Sequence, residues 1–206
     1  MSQHFGIDRL VCLGIVLWAL AGCTGSSPPA RFYLLGGLAQ GEASSMKFEK
    51  EGSSVLVGPV TLAAYLDRDQ LITRSGPVAL HLDQFDRWAE PLSDGIYRVL
   101  QENLSILLET PHVSTVLQQS PVPADFQIAV HVSRFDQGAD GGAHLTAFWS
   151  LENTRAGGPL LRKKTVVQVA AASPALGDRV QAQDQALTVF SREIAAAVAA
   201  AAKPQP

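Results

Sequence analysis

The sequence predicts an α+β domain in which a largely antiparallel sheet is packed by two main amphipathic helices. Two apolar stripes at helical spacing carry half of that expectation. One comprises Leu92, Ile96, Leu100, Leu104 and Leu108, joined by Val99 and Leu107; the other comprises Val180, Leu187, Phe190, Ile194 and Val198. Alternation carries the other half. Phe126, Ile128, Val130 and Val132 interleave with Gln127, Ala129, His131 and Ser133, and Leu145, Ala147, Trp149 and Leu151 interleave with His144, Thr146, Phe148 and Ser150. A period of two gives each strand one core face. Strands, helix, three strands and helix is the order of a two-layer domain.

At the N-terminus, Leu10 to Leu20 is an uncharged apolar run, too short for a bilayer, which needs about 20 residues. It reads as the core of a signal peptide over residues 1–22. The run closes on Leu20-Ala21-Gly22-Cys23, which resembles the bacterial lipobox. That resemblance implies cleavage before Cys23, a diacylglycerol on its thiol and a fatty acyl chain such as palmitate on its amine. Such chains exceed the two-signal requirement for stable anchoring. Thr24, rather than Asp, follows the cysteine, which by the same resemblance implies the outer membrane, on its periplasmic face. The competing reading is an ordinary secretory peptide whose cysteine is incidental. Residues 23–30 then form the lipidated anchor and linker, and residues 31–206 a single α+β domain.

Within that domain "RFYLL" has the content of a first strand, and Gln40 to Ser54, polar and rich in Gly and Ser, reads as a surface loop. Ser54 to Val60 reads as a buried strand whose Pro59 suits an edge or a strand end. "QLITR" and "VALHL" flank Ser75-Gly76-Pro77 as a short hairpin. Pro91 disfavours helical geometry at Glu90 and suits the first helical position, so the main helix is predicted to begin there, with Glu90 meeting the positive end of its dipole. Gly95 in the first turns costs about 1 kcal/mol relative to Ala, which implies the close approach of another backbone. Gly138 to Gly142 supplies a turn, and Gly157-Gly158 starts the return through "LLRKKTVVQVAA". The last helix runs from about Asp178 to Ala202 and ends in the alanine-rich "AAAVAAAA", a narrow tail that allows close packing.

Cysteine counting narrows the chemistry. Cys12 falls in the removed leader and Cys23 is the lipid site, so no thiol remains for a disulfide, a metal or a nucleophile. The formal net charge is −3, with acidic and basic residues mixed along the chain, which speaks against a nucleic-acid partner.

Three segments, "VLVGPVTLAAYLDRDQLITRSG", "FDRWAEPLSDGIYRVLQENLSILL" and "RFDQGADGGAHLTAFWSLEN", stand in order behind the lipobox. Together they resemble the PqiC-like ABC-type transport auxiliary lipoprotein family. Gly58-Pro59-Val60, Tyr65-Leu66-Asp67-Arg68, Arg87-Trp88-Ala89-Glu90-Pro91 and Asn103-Leu104 carry the resemblance. It implies a non-enzymatic outer-membrane lipoprotein that works with a periplasm-spanning Mce-domain protein and an inner-membrane transport component in envelope lipid trafficking and membrane integrity. It also implies a ring-like homo-oligomer. The departures from the family lie in the linkers, Gln40 to Ser54 and "SPVPAD". No cofactor and no metal are implied.

Tyr65, Asp67, Arg68, Arg74, Arg87, Trp88 and Glu90 are therefore read as a partner-binding or structural motif. In the structural version Pro91 and Glu90 set the first helical turn, Trp88 packs beneath the helix against the sheet, and Arg87 pairs with a carboxylate such as Asp67 or Glu90. Asp83, Asp86, Glu90 and Asp94 invite a paired-carboxylate reading, but an acidic, capped helix start accounts for them more simply. His131 and His144 share the polar face of their strands and can oppose one another, yet two histidines make a poor metal site. Ser114, Ser150 and Ser191 lack a G-x-S-x-G context. Gly36-Gly37 and Gly141-Gly142 form no phosphate loop. Arg162-Lys163-Lys164 reads as solvated, with lipid headgroups as the lesser alternative. The competing functions are a periplasmic hydrolase, a lipid-binding carrier and an LPS-assembly-type lipoprotein. A hydrolase needs a reactive trio in a pocket, and a carrier needs a large apolar cavity.

Cys23→Ala should abolish lipid attachment and release the chain from the membrane fraction. Labelling cells with radioactive palmitate reads this directly, and label persisting in the variant would refute the lipobox reading.

Overall fold

The computed structural model describes residues 28–38, 53–118, 123–155 and 157–203. The expected signal peptide, Cys23 and most of the expected Gln40 to Ser54 loop lie outside them. In chain order the elements are β1 (Arg31–Tyr33), β2 (Val55–Leu62), β3 (Gln70–Arg74), β4 (Leu80–Trp88), α1 (Leu92–Leu107), β5 (Val113–Thr115), β6 (Phe126–Gln137), β7 (Ala143–Asn153), β8 (Pro159–Val169) and α2 (Leu176–Ala202).

The sheet is built on β6. One edge of β6 pairs antiparallel with β7, from Phe126 opposite Asn153 to Gln137 opposite Ala143, and β7 pairs antiparallel with β8. Its other edge is shared. β2 runs parallel to it between Val55↔Phe126 and Leu62↔Val132, and β3 takes over at Thr73↔Gln137. Beyond β3 come β4, antiparallel, and β1, parallel to β4; β5 lies parallel on the far side of β2.

The sheet is thus mixed, which corrects the expectation of a largely antiparallel one. Tight turns such as Gly138 to Gly142, where the Gly138 N–H donates to the Gly142 carbonyl at 2.7 Å, can only join antiparallel strands. The β2–β6 pairing instead closes over a connection that contains α1, and a helical crossover returns the chain parallel.

Two irregularities tune the strands. The register between β2 and β6 shifts from Val57 to Val60, so Pro59 sits at a bulge inside β2 and not at its end. The pairing with β5 stops at Val57↔Thr115, and at a bulge beyond it no partner requires an N–H from proline. Gly58 has φ +126°, and a Cβ there would lie 2.6 Å from Val116 Cγ2 and 2.9 Å from Tyr97 Cε1. Only glycine fits. In β6 the register shifts between Val132 and Arg134, after which Phe135, Asp136 and Gln137 are all buried.

Both helices cover the same face. Ile96, Val99, Leu100, Leu104 and Leu108 of the first apolar stripe are fully buried, as are Leu187, Phe190, Ile194 and Val198 of the second. α1 packs on β2 and β5, and α2 packs on β6, β7 and β8, with Phe190 edge-on to Trp149 at 6.2 Å. The helices also touch each other: buried Asn103 donates through Nδ2 to Ser191 Oγ at 3.0 Å, and Ser191 donates to the Leu187 carbonyl at 2.8 Å. Ser191 is therefore a core residue.

The start of α1 differs from expectation by one residue. Pro91 is the N-cap, with φ −50° and ψ 132°, and its carbonyl accepts from Gly95 N at 3.1 Å. No side chain caps the helix. Gly95 sits in a tight spot, where a Cβ would meet Glu90 Oε1 at 3.1 Å and Leu35 Cδ1 at 3.4 Å, so side chains and not a backbone make the close approach. Just before the cap, Trp88 is 6% exposed and stacks on Phe135, with ring centroids 6.5 Å apart.

Trp88→Ala should destabilise the fold by about 3–5 kcal/mol, read as a lowered denaturant midpoint. A loss below about 1 kcal/mol would show that the indole is not a packing element.

Candidate functional site

The motif residues converge where β3, β4 and the start of α1 meet, around two centres. At the first, Asp136 is fully buried at the end of β6. Its Oδ2 accepts from Arg74 Nη2 at 2.8 Å, Arg74 Nε at 3.1 Å and the Tyr65 hydroxyl at 3.2 Å, while its Oδ1 accepts from Arg134 Nε at 2.8 Å. Four donors meet one carboxylate, which offers about four lone-pair sites. Tyr65 is pushed above its ordinary pKa, first by burial and then by the Asp136 charge. The Arg74 guanidinium is held above its usual value by its hydrogen bond to Asp136. It also stands over the Tyr65 ring, 5.8 Å from the centroid.

The second centre is a cleft of about 340 Å³ lined by Asp67, Arg68, Asp69, Trp88, Ala89, Glu90, Pro91 and Leu92. Main-chain bonds knit its walls: Trp88 N donates to Asp69 O at 2.6 Å, and Ala89 N to Tyr33 O at 2.8 Å. Arg87 pairs through Nη1 with Asp69 Oδ2 at 2.9 Å, and so with neither expected carboxylate. Glu90 does not cap the helix. Its Oε1 accepts from Arg98 Nη2 at 2.6 Å, and the same nitrogen donates to the Leu35 carbonyl at 2.8 Å. The pairing with Glu90 raises the Arg98 pKa.

The acidic helix start is likewise corrected. Only Asp94 lies in the first turn of α1. Asp83 accepts the N–H groups of Phe85 and Asp86, both at 3.1 Å, shaping a turn within β4. Asp86 is buried and binds Arg31 of β1 with two 2.6 Å hydrogen bonds, from Nε and from Nη2, while the Tyr33 hydroxyl donates to it at 3.2 Å. The Arg31 hydrogen bonds hold the Asp86 carboxyl below its usual range.

Sequence reasoning missed the roles of Arg31, Asp86, Arg98, Arg134 and Asp136. A signal for the bulge that turns Asp136 inward existed in principle: the successive polar residues Ser133 and Arg134 break the polar–apolar alternation of "HVSRFDQ" where the register of β6 shifts. The histidines do not oppose one another. His131 faces Phe148 and His144 faces Asp136, and His131 Nδ1 lies 2.9 Å from Thr61 Oγ1. Among the described residues no group of three or more His, Cys, Asp or Glu is placed to hold a metal.

A strap of residues 34–38 follows β1. Leu35 is buried, Gly36 N donates to Asp184 Oδ1 at 2.9 Å, and Leu38 N donates to Asn103 Oδ1 at 2.7 Å. Residues 34–38 thus cross both helices. Burial raises the Asp184 carboxyl to about 6, against the lowering pulls of the Gly36 N–H and of Arg98.

Residues 33–195 match the family described as ABC-type transport auxiliary lipoprotein component. Among solved structures, the crystal structure of an uncharacterized protein superposes with a TM-score of 0.66 at 19% identity, covering 83% of this chain and 99% of that one. A Xanthomonas campestris protein of family DUF330 superposes with a TM-score of 0.69 at 18% identity, covering 81% of this chain and 93% of its own. A putative lipoprotein from Caulobacter crescentus is 20% identical with a TM-score of 0.38, covering 52% and 82%. The first two share the fold. No relative of curated function matches the sequence.

The Asp184 shift has a definite sign. Its folded value of about 6 exceeds the ordinary 3.8, so between those limits the folded state binds more protons. This group therefore favours folding at lower pH, and that contribution is lost as pH rises through about 6. Asp184→Asn keeps an acceptor for the Gly36 N–H and removes the proton. Melting curves at pH values of about 5 and about 7.5 should differ less in the variant than in the wild type; equal differences would refute the assignment.

Proposed function

The chain belongs to the ABC-type transport auxiliary lipoprotein family, and we propose that it acts there as a non-enzymatic docking subunit. In this reading the lipid on Cys23 fixes it to the outer membrane with the folded part in the periplasm. There it binds a periplasm-spanning Mce-domain protein connected to an inner-membrane component, in envelope lipid trafficking, and it self-associates as a closed homo-oligomer. The observation that carries the reading is how the motif spends its charges. Arg31–Asp86, Arg74–Asp136, Arg87–Asp69 and Arg98–Glu90 each tie two separate stretches of chain together. Carboxylates so engaged build a rigid edge and are poorly placed to accept a substrate proton.

The competing readings have less to draw on. A lipid carrier requires an enclosed apolar site, whereas a depression of about 560 Å³ opens on the outer face of the sheet and is lined in part by Arg162, Lys163 and Lys164. A hydrolase requires a nucleophile hydrogen-bonded to a base, and Ser191, the serine closest to that description by burial, donates instead to the Leu187 carbonyl.

Affinity purification of the intact lipoprotein from gently solubilised envelopes should recover an Mce-domain protein. Glu90→Gln weakens a partly exposed ion pair and should cost about 0.2–1 kcal/mol of stability while leaving that recovery intact. A well-folded Glu90→Gln protein that recovers nothing would make Glu90 a contact residue and end the purely structural reading of the motif.

A further inference from the structure

β8 pairs with β7 along Pro159–Val169, and among the described residues no strand lies on its other side. A long open edge is a template for another strand unless something guards it. The side chains of β8 divide by parity. On the inner side, Thr165 Oγ1 accepts the Trp149 indole N–H and donates to Glu193, both at 2.9 Å, and Lys163 pairs with the same Glu193 at 2.7 Å.

The outer side is different. Leu160 and Val166 are 49% and 57% exposed, and Arg162 and Lys164 stand between them. Neither cation has a carboxylate within ion-pair distance among the described residues. Lys164 Nζ instead lies 5.6 Å from the centroid of the Phe148 ring, which is itself 48% exposed. Glu152, the acidic residue at the end of β7, falls opposite Pro159 and pairs with neither. Along the edge, the outer face runs apolar, basic, basic, apolar.

We propose that the outer edge of β8 receives an extended acidic segment of a partner protein as an added strand. The proposal rests on the docking reading above and names the chemistry of the partner's contact. Two carboxylates two residues apart would lie opposite Arg162 and Lys164, with apolar side chains opposite Leu160 and Val166, since directly opposed opposite charges and apolar pairs stabilise neighbouring strands. Main-chain hydrogen bonds supply affinity in such an addition, and alternate side chains supply specificity. The same charges argue against a second copy of the chain at this edge. Antiparallel pairing of β8 with another β8 would set the run Arg162-Lys163-Lys164 against its own kind, and like charges in opposed positions are destabilising. The basic run guards the edge against self-pairing and selects an acidic strand.

The probe is a fluorescent synthetic peptide of about ten residues, carrying two glutamates two positions apart with valine at the next alternate position on either side, titrated with the intact lipoprotein in detergent micelles. Saturable binding is expected, weakening with added salt and by at least about tenfold in the double variant Arg162→Glu, Lys164→Glu. Both residues are exposed and, among the described residues, without an ion-pair partner, and only the exposed Lys164–Phe148 ring contact is lost. The melting temperature of the variant should therefore stay close to that of the wild type, and a nearly unchanged melt separates lost binding from lost folding. N-methylation of one alternate set of peptide residues should abolish binding, and of the other set should leave it. Equal binding to the double variant, or the same outcome for both methylation patterns, would overturn the proposal. Capture of the Mce-domain protein then separates the two readings. Recovery by the double variant as well as by the wild type sinks the β8 edge and leaves docking standing, recovery by the wild type alone supports both, and recovery by neither sinks the docking reading itself.

Discussion

The fold turns on Asp136. β6 offers one edge to two strands in succession, and β2 leaves it after Val132 just before β3 arrives at Gln137. A buried carboxylate next to that handover collects Arg74 from β3, Arg134 from β6 itself and Tyr65 from the connection between β2 and β3. Burying a charge is costly, and a buried ion pair adds little net stability once desolvation is counted. Its contribution is specificity. Backbone pairing between β3 and β6 amounts to a single register pair, Thr73↔Gln137, too little to select one docking position among neighbours. Three side chains from three places satisfy the carboxylate together only when β3 lies where it does.

The elements around β3 inherit that placement. β4 returns along β3, ends at Trp88, and delivers the indole onto Phe135, one residue before Asp136. β1 then adds to β4 through the Arg31–Asp86 pair, and the Ala89 N–H reaches back to the Tyr33 carbonyl. The cap at Pro91 and the apolar stripe of α1 come immediately afterwards. The Arg-Trp-Ala-Glu-Pro stretch is thus the place where a sheet edge, a strap and a helix are joined, and each of its side chains with a distinct chemistry faces a different one of them: Trp88 the core, Arg87 the Asp69 loop, Glu90 the Arg98 guanidinium that also holds the strap.

Local features of this chain were legible in its sequence, and partnerships across the chain were not. The stripes of α1 and α2 and the alternation in β6 and β7 depend only on the periods of helix and strand, and the β3–β4 and β6–β7 turns announce themselves through Ser75-Gly76-Pro77 and Gly138 to Gly142. Parallel pairing has no such local mark. Nothing in Val55 to Leu62 says that it lies beside Phe126 to Val132, which is why the sheet was expected to be largely antiparallel. The ion pairs escaped for a related reason. Arg31 and Asp86 are 55 residues apart and Arg74 and Asp136 are 62 apart, and their spacing carries no period. Proximity in sequence misled instead, grouping Asp83, Asp86, Glu90 and Asp94 as one acidic helix start although they serve a turn, a strand, a strap and a helix in turn.

The division of the sheet into two faces completes the logic. The inner face is closed by α1 and α2, and polar groups there are spent internally, as in Asn103–Ser191 and Thr165–Glu193. The outer face carries no helix among the described residues, and its β8 side holds cations without carboxylates beside half-exposed apolar side chains. The described chain enters at β1, which pairs with β4 at one end of the strand order, while β8 stands at another end beside β7; the strap of residues 34–38 follows β1 and crosses the two helices. The N-terminal approach and the open β8 edge are therefore separated by β4, β3, β6 and β7. Under the proposed docking role, this keeps the surface reached by the N-terminal segment apart from the edge proposed to receive a partner.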